Sequence, residues 1–329
     1  MYEKMNRRNF VKSTVLGASM ATAAGMPAFT SNAYGNDPLP PLQKKREIPT
    51  GTIAGVEFSR MMLGGNLLTH HTHSRDLSYV SRLAGQYNTA QKVHETLRTA
   101  EEHGINTVVI HTQQGVLDGL KKYRERGGNI KVIICSIAPI TEDMDEYTQS
   151  CQECIDAGVD ALYLWGCHAD AMIDETPRPN AGGAPWGRSD LIKKAVNTMR
   201  SFGVPVGVAA HHIEVIEFCE KEGIKNDFYL KTFHHRNYPS AVMNYDNSWC
   251  DNPEKHIEVF SKVTKPWIAY KIMAAGAIHP KNALDFAFSN GADFVIFGMF
   301  DYEIDEDTRF LNEVLAQENV QNRPRKWCG

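Results

Sequence analysis

Six of the 13 histidines stand at or just beyond apolar runs: His111 closes 107–111, His168 follows 161–165, His211 and His212 follow 205–210, and His234 and His235 follow 227–233. Neutral imidazole is a ligand for Zn, Mn, Fe or Co, and a metal left with an open position polarises a carbonyl or activates water. The spacing therefore predicts a divalent metal held by His111, His168, His211 and His234, each at the end of a different strand. His212 and His235 are expected to face the other way, and His70, His71 and His73 fall on a long loop. Lys231 and Lys271 lie within strands, where an inward amine would serve as a base of lowered pKa or as a Schiff-base nucleophile. Asp170 and Asp174, after the fourth strand, and Asp301 and Glu303, after the eighth, are carboxylates suited to proton transfer. The expected catalytic set is Lys271, Asp301 and Lys231. The plainer alternatives are a lysine snorkelling outward between helices, a solvated loop carboxylate and a hydrogen-bonded loop histidine.

For such residues to converge, the chain must gather strand ends. Strands are expected at 60–63, 107–111, 131–136, 161–165, 205–210, 227–233, 267–273 and 293–297. Helical segments at 89–103, 116–126, 146–157, 189–202, 213–222, from 253, at 280–289 and at 306–317 alternate with them. Glycines 104, 127, 158, 203 and 223 stop five of the helices. The run Ala161-Leu162-Tyr163-Leu164-Trp165 has no polar alternation, which suits a strand buried on both faces of a parallel sheet. Eight β/α units in order predict one α/β domain, a (β/α)8 TIM barrel over 52–329 with its active site at the strand carboxyl ends. A short hairpin near 52–58 would plug its bottom. An open doubly wound sheet is the alternative, weakened because no G-x-G-x-x-G follows a strand. The Pro- and Gly-rich segment 170–188 reads as a substrate loop or lid.

Length and charge narrow the partners. The 329 residues are 42% hydrophobic and 22% charged, enough for a sizeable core. A net charge of -4, with no basic cluster beyond the leader, offers nothing to nucleic acid or an anionic membrane, so a small-molecule or sugar substrate is expected. The start has a separate grammar: Arg7-Arg8-Asn9-Phe10-Val11-Lys12, a weakly apolar run over 13–29, and Ser31-Asn32-Ala33 as a small-x-small cleavage site. That pattern is similar to a twin-arginine export signal over 1–33, followed by a polar, Pro-rich linker over 34–51. It implies handling by the twin-arginine machinery, a periplasmic or secreted destination and no stable membrane association after cleavage. Seven cysteines form no regular framework, and Cys151-x-x-Cys154 reads as helix packing.

Three segments carry a family resemblance. Val206-Gly207-Val208-Ala209-Ala210 with Glu214-Val215-Ile216-Glu217, then Ala269-Tyr270-Lys271-Ile272-Met273-Ala274-Ala275-Gly276, then Phe294-Val295-Ile296-Phe297-Gly298, resemble the last strands of the aldo/keto reductase superfamily. Leu63-Gly64-Gly65-Asn66 and Gly104-Ile105-Asn106 fit as well, so the likeness spans about 58–317. It implies the barrel. The family's catalytic Asp, Tyr, Lys and His are not matched: His111 stands at the Asp position, no Tyr follows it, Ser136 holds the Lys position, and the His position falls near Gly166. Where that family offers basic residues to a nicotinamide phosphate, this chain reads Met299-Phe300-Asp301-Tyr302-Glu303-Ile304-Asp305. The whole resembles exported, reductase-like barrels without the reductase tetrad, and no nicotinamide is expected. The expected function is a metal-dependent lyase, isomerase or hydrolase of a carbohydrate or polyhydroxy compound. A nicotinamide-dependent oxidoreductase with a rearranged site is the alternative.

Overall fold

The structure, a computed structural model, describes residues 37–113, 115–174, 184–243, 245–247 and 249–329. The expected export signal and residues 175–183 of the expected substrate loop lie outside the described residues.

The chain first runs along the flank of the molecule, where Leu39 and Lys45 donate backbone bonds to Arg126 and Glu102 carbonyls. It then forms an antiparallel hairpin of β1 (Thr50–Ile53) and β2 (Val56–Ser59). Eight further strands close into a parallel ring: β3 (Met61–Gly64), β4 (Thr107–His111), β5 (Lys131–Cys135), β6 (Ala161–Leu164), β7 (Val206–Ala210), β8 (Phe228–Thr232), β9 (Trp267–Tyr270) and β10 (Phe294–Phe297). β10 pairs with β3 and seals it, Phe297 opposite Leu63. The (β/α)8 barrel is the expected fold.

Period-two alternation splits the apolar residues into two sets. Met62, Val109, Ile133, Tyr163, Leu230 and Phe294 fill the bore, with Ile53 and Phe58 of the hairpin packed beneath them. Their neighbours Leu63, Val108, Ile134, Leu162 and Tyr229 face outward into the larger core under the helices. Gly207 belongs to the bore: a Cβ there would stand 2.3 Å from the Phe228 ring, so only glycine leaves that ring its place.

The helices mostly fall where their caps and periods put them. α1 (Ser78–Tyr87) was not expected; its N-cap Leu77 makes no side-chain cap bond, so no start signal marks it. After it come α2 (Ala90–Glu102), capped by Thr89 Oγ1, α3 (Val116–Glu125) and α4 (Asp145–Asp156), whose Cys151 and Cys154 are both buried as free thiols, as the packing reading had it. α5 (Gly166–Ile173), α6 (Asp190–Arg200), α7 (Ile213–Lys221), α8 (Pro253–Phe260), α9 (Pro280–Ser289), α10 (Ile304–Leu315) and the short α11 (Glu318–Gln321) complete the layer. No helix of the described residues is long and apolar enough to cross a membrane.

The floor of the barrel is tied by ions. Asp293, fully buried, takes Arg323 at 2.8 Å and Arg325 at 2.6 Å, and also accepts the backbone N–H of Trp267 and Cys328. Arg323 and Arg60 lie over the Trp327 ring at 3.4 and 4.5 Å. Buried charge of this kind persists only when paired and hydrogen-bonded, and here one carboxylate receives four donors.

Candidate active site at the barrel mouth

The inward register of each strand decides which side chains reach the carboxyl-end mouth. On β4 the bore residue Val109 is followed two positions on by His111; on β7 Ala209 is followed by His211; on β9 Ile268 is followed by Tyr270. Tyr270 reaches across to donate its hydroxyl to the Ala210 carbonyl at 3.0 Å. α5 starts directly behind β6 and presses on this pair: a Cβ at Gly166 would lie 3.2 Å from Tyr270 Oη and 3.3 Å from His211 Cε1. Asp170, one turn into α5, thereby meets the end of β7. Its carboxylate accepts the backbone N–H of His211 and His212 and takes His211 Nδ1 at 2.7 Å. Although burial pulls Asp170 upward, its bond from the His211 ring and the neighbouring imidazoles hold it below the usual carboxylate value. Burial in turn lowers His211, against the pull of Asp170. The pair therefore sits as an ionised carboxylate orienting a neutral imidazole, with Nε2 left for proton transfer.

Trp249 is the hub of the mouth. His211 packs on its ring at 5.1 Å and His73 at 5.2 Å, and Lys271 Nζ stands 3.9 Å from the ring centroid. His73 Nδ1 is bonded to Asp246 at 2.7 Å, and a β-bridge between Arg75 and Asp246 fixes the two loops to each other. Lys271 occupies the first position past β9 with φ +57°, in a turn that continues through Ala274 and Ala275, also left-handed. A non-glycine residue costs about 1 kcal/mol or more in that conformation, and such strain gathers where a side chain must be aimed. Among the described residues, the Lys271 amine makes no hydrogen bond and no ion pair within 4 Å, while its carbonyl accepts the Ala274 N–H. Burial pushes its amine down to about 7, with Asp246 acting weakly the other way.

The other expected residues are placed differently. His234 is not a free ligand: Nδ1 bonds the His235 carbonyl at 3.0 Å, while Nε2 accepts the backbone N–H of Trp249 and Cys250, both at 3.1 Å. Both nitrogens are engaged, and Nε2 holds the 249–250 loop. His168 lies inside α5, fully buried with its ring edge-on to Trp165 at 5.0 Å. His111 meets the His71 ring at 4.8 Å, and burial lowers it to about 4. The expected four-histidine metal centre is therefore not assembled: among the described residues no three His, Cys, Asp or Glu groups stand close enough to hold an ion. Lys231 alternates with the bore residue Leu230 and so faces the helix layer, where Nζ donates to Thr232 Oγ1 at 2.7 Å; burial lowers it to about 8. Asp301 is engaged sideways, accepting Tyr87 Oη at 2.6 Å and Lys92 Nζ at 3.2 Å. Trp249 and Asp246 were missed because they belong to a long aperiodic loop. Their only signal was the company of Trp, Tyr and Asp over 245–249.

The fold also raises the question of a nicotinamide cofactor. In the resembled family its phosphate would lie near the turn after β10. Here Glu303 accepts the Phe300 N–H at 2.8 Å, and Asp305, Glu306 and Asp307 fill the first turn of α10. Carboxylates already take the place an anion would use, so this turn does not fit a phosphate.

No family model and no curated protein matches the chain. Solved structures do. A Pseudomonas aeruginosa protein assigned as an aldo-keto reductase is 11% identical, with TM-score 0.56, covering 82% of this chain and 98% of that one. An aldo-keto reductase from Bacillus halodurans in its holo form is 11% identical at TM-score 0.53, covering 86% and 97%. A Gox0644 variant in complex with NADPH is 13% identical at TM-score 0.52, covering 84% and 92%. In fold, this chain is an aldo/keto reductase-like (β/α)8 barrel.

Proposed function

We propose that the protein is an enzyme working at the carbonyl group of a small polyhydroxy molecule seated in the barrel mouth against Trp249. The observation that carries this reading is the convergence of Lys271, His73 and His211 on one indole ring. An indole face suits the C–H surface of a sugar-like compound, and the groups around it suit moving a proton at the carbonyl oxygen or the adjacent carbon. Lys271 serves as the base, and Asp170 orients the neutral His211 so that its Nε2 takes up and returns a second proton.

Among reaction classes, an oxidoreductase related to the aldo/keto reductases is supported best, because structures of that kind share the barrel. A nicotinamide, when bound, supplies hydride. The acidic turn after β10 does not fit its phosphate, so no step is assigned through it. A metal-dependent lyase, isomerase or hydrolase is the second reading. It is favoured by His111 Nε2, which among the described residues is buried without a hydrogen-bond partner beside the His71 ring. Titration of the purified protein with NADH and NADPH, run beside elemental analysis, tests the two. Binding of either nucleotide supports the first reading and stoichiometric metal the second. The Arg7-Arg8 leader supports export by the twin-arginine route to the periplasm or beyond.

A further inference from the structure

Lysines drawn into a folded protein are normally paired. Lys231, buried completely, is held by Thr232. Lys271 has no such protein partner among the described residues. It is half-buried, among the described residues its nitrogen bonds to nothing, and its backbone is held left-handed so that the side chain lies over Trp249 in the mouth. The carboxylate that bears on it, Asp246, is already taken up by His73. An amine half-withdrawn from water, with only an indole face and no carboxylate of its own to favour the charged form, loses its proton more readily than a solvated lysine. It is well placed as a nucleophile. His211, packed on the same indole, presents a neutral imidazole whose Nδ1 is occupied by Asp170, so its Nε2 faces the work of moving protons.

From this geometry we infer that Lys271 forms a covalent imine with the open-chain carbonyl form of a small hydroxylated aldehyde or ketone. The neutral nitrogen attacks the carbonyl carbon; a C–N bond forms and the carbonyl π pair moves to oxygen. His211 relays the two amine protons to that oxygen, the C–O bond breaks, and water leaves. The product is Lys271–N=C, with atoms and charge balanced and no oxidant or reductant required. Once protonated, the imine draws electrons from the adjacent carbon, which is the chemistry an isomerase or carbon–carbon lyase needs. The inference rests on the reading that the mouth takes a carbonyl compound. Burial also holds the amine about half neutral near pH 7, whereas a solvated lysine is neutral to about one part in a thousand or less.

The test uses the whole protein with glyceraldehyde and dihydroxyacetone as probes and sodium cyanoborohydride as trap, at pH 7, read by intact mass and peptide mapping. The expected result is a single reduced adduct on Lys271, forming on the order of a hundredfold faster than on surface lysines. It should be absent from Lys271→Arg and slowed in Asp170→Asn. Labelling spread over surface lysines with Lys271 unmodified overturns the inference. Indole fluorescence, compared between wild type and Trp249→Phe, separates this from failure of the site reading. A probe-dependent change that needs Trp249, with no adduct, removes the imine and leaves the site; neither signal removes both.

Discussion

Lys271 Nζ stands 3.9 Å from the centroid of the Trp249 ring, the two residues coming from separate strand-end loops that meet over the barrel mouth. Replacing Lys271 by Met should leave this packing largely intact while deleting the amine. A loss of about 10²–10⁴ in kcat/KM is expected for a proton-moving group, without loss of the folded state. Turnover alongside a thermal melt checks it; a variant as active as wild type would move the chemistry elsewhere.

The same amine sets a pH dependence. Its folded pKa of about 7 lies below the unfolded value of ~10.4. Between those pH values the unfolded chain binds more protons, so the Lys271 contribution makes stability rise with pH across that window. Lys271→Met should therefore be more stable than wild type at pH 7, and the difference should shrink as pH approaches ten. Activity that needs the neutral amine should rise through about pH 7, and Lys271→Met should lose that limb. Urea melts at several pH values and a pH–rate profile test the two halves separately.

Asp170 joins stability to the site. Asp170→Ala leaves the His211 and His212 N–H groups and the His211 ring without their acceptor, at about 1–3 kcal/mol for each buried group left unmade. Asp170→Asn should cost less and still impair proton transfer, because it no longer stabilises a charged imidazole. Since the folded carboxyl sits below its usual value, its stabilisation is present above the unfolded pKa of ~3.9 and is lost as pH falls through the folded one. Acid unfolding of Asp170→Asn should accordingly be shallower than that of wild type.

His234 separates a structural imidazole from a metal ligand. His234→Ala removes the acceptor of two backbone N–H groups in the 249–250 loop, with an expected loss of about 2–3 kcal/mol and a change in Trp249 emission. Metal content should not change. Were His234→Ala to strip a bound ion while the melt stayed put, the backbone role assigned here would be wrong.

The barrel was legible because its signals are local. Apolar runs such as Ala161–Leu164 and glycines such as Gly104 and Gly203 mark elements wherever the rest of the chain lies. His211 and Asp170 were legible as candidates for the same reason: each follows a strand. Their pairing was not, because it depends on α5 starting at Gly166, one residue after its N-cap Trp165, which supplies no side-chain cap bond. His234 looked like a ligand because sequence gives a residue's position and not its rotamer; the ring turned back onto its own loop. Lys231 and Lys271 differ by register alone, and β8 keeps strand alternation to its end while Lys271 leaves it in a left-handed turn. Trp249 and Asp246 lie in a loop with no period, and only tertiary contact brings them to the mouth.

Asp293 and its arginines carry a consequence for how the molecule is made. The residue immediately precedes β10, the strand that must find β3 some two hundred residues earlier, and it is paired with guanidinium groups that come later still. Because Arg323 and Arg325 follow Asp293 in the chain, the four-donor floor is complete only once the C-terminal segment has docked. Sealing of β10 on β3 is therefore expected to come late, with a long loop to close, and refolding is expected to be slow and prone to self-association through open strand edges. Asp293→Ala, stranding the arginines, should yield little folded protein at all.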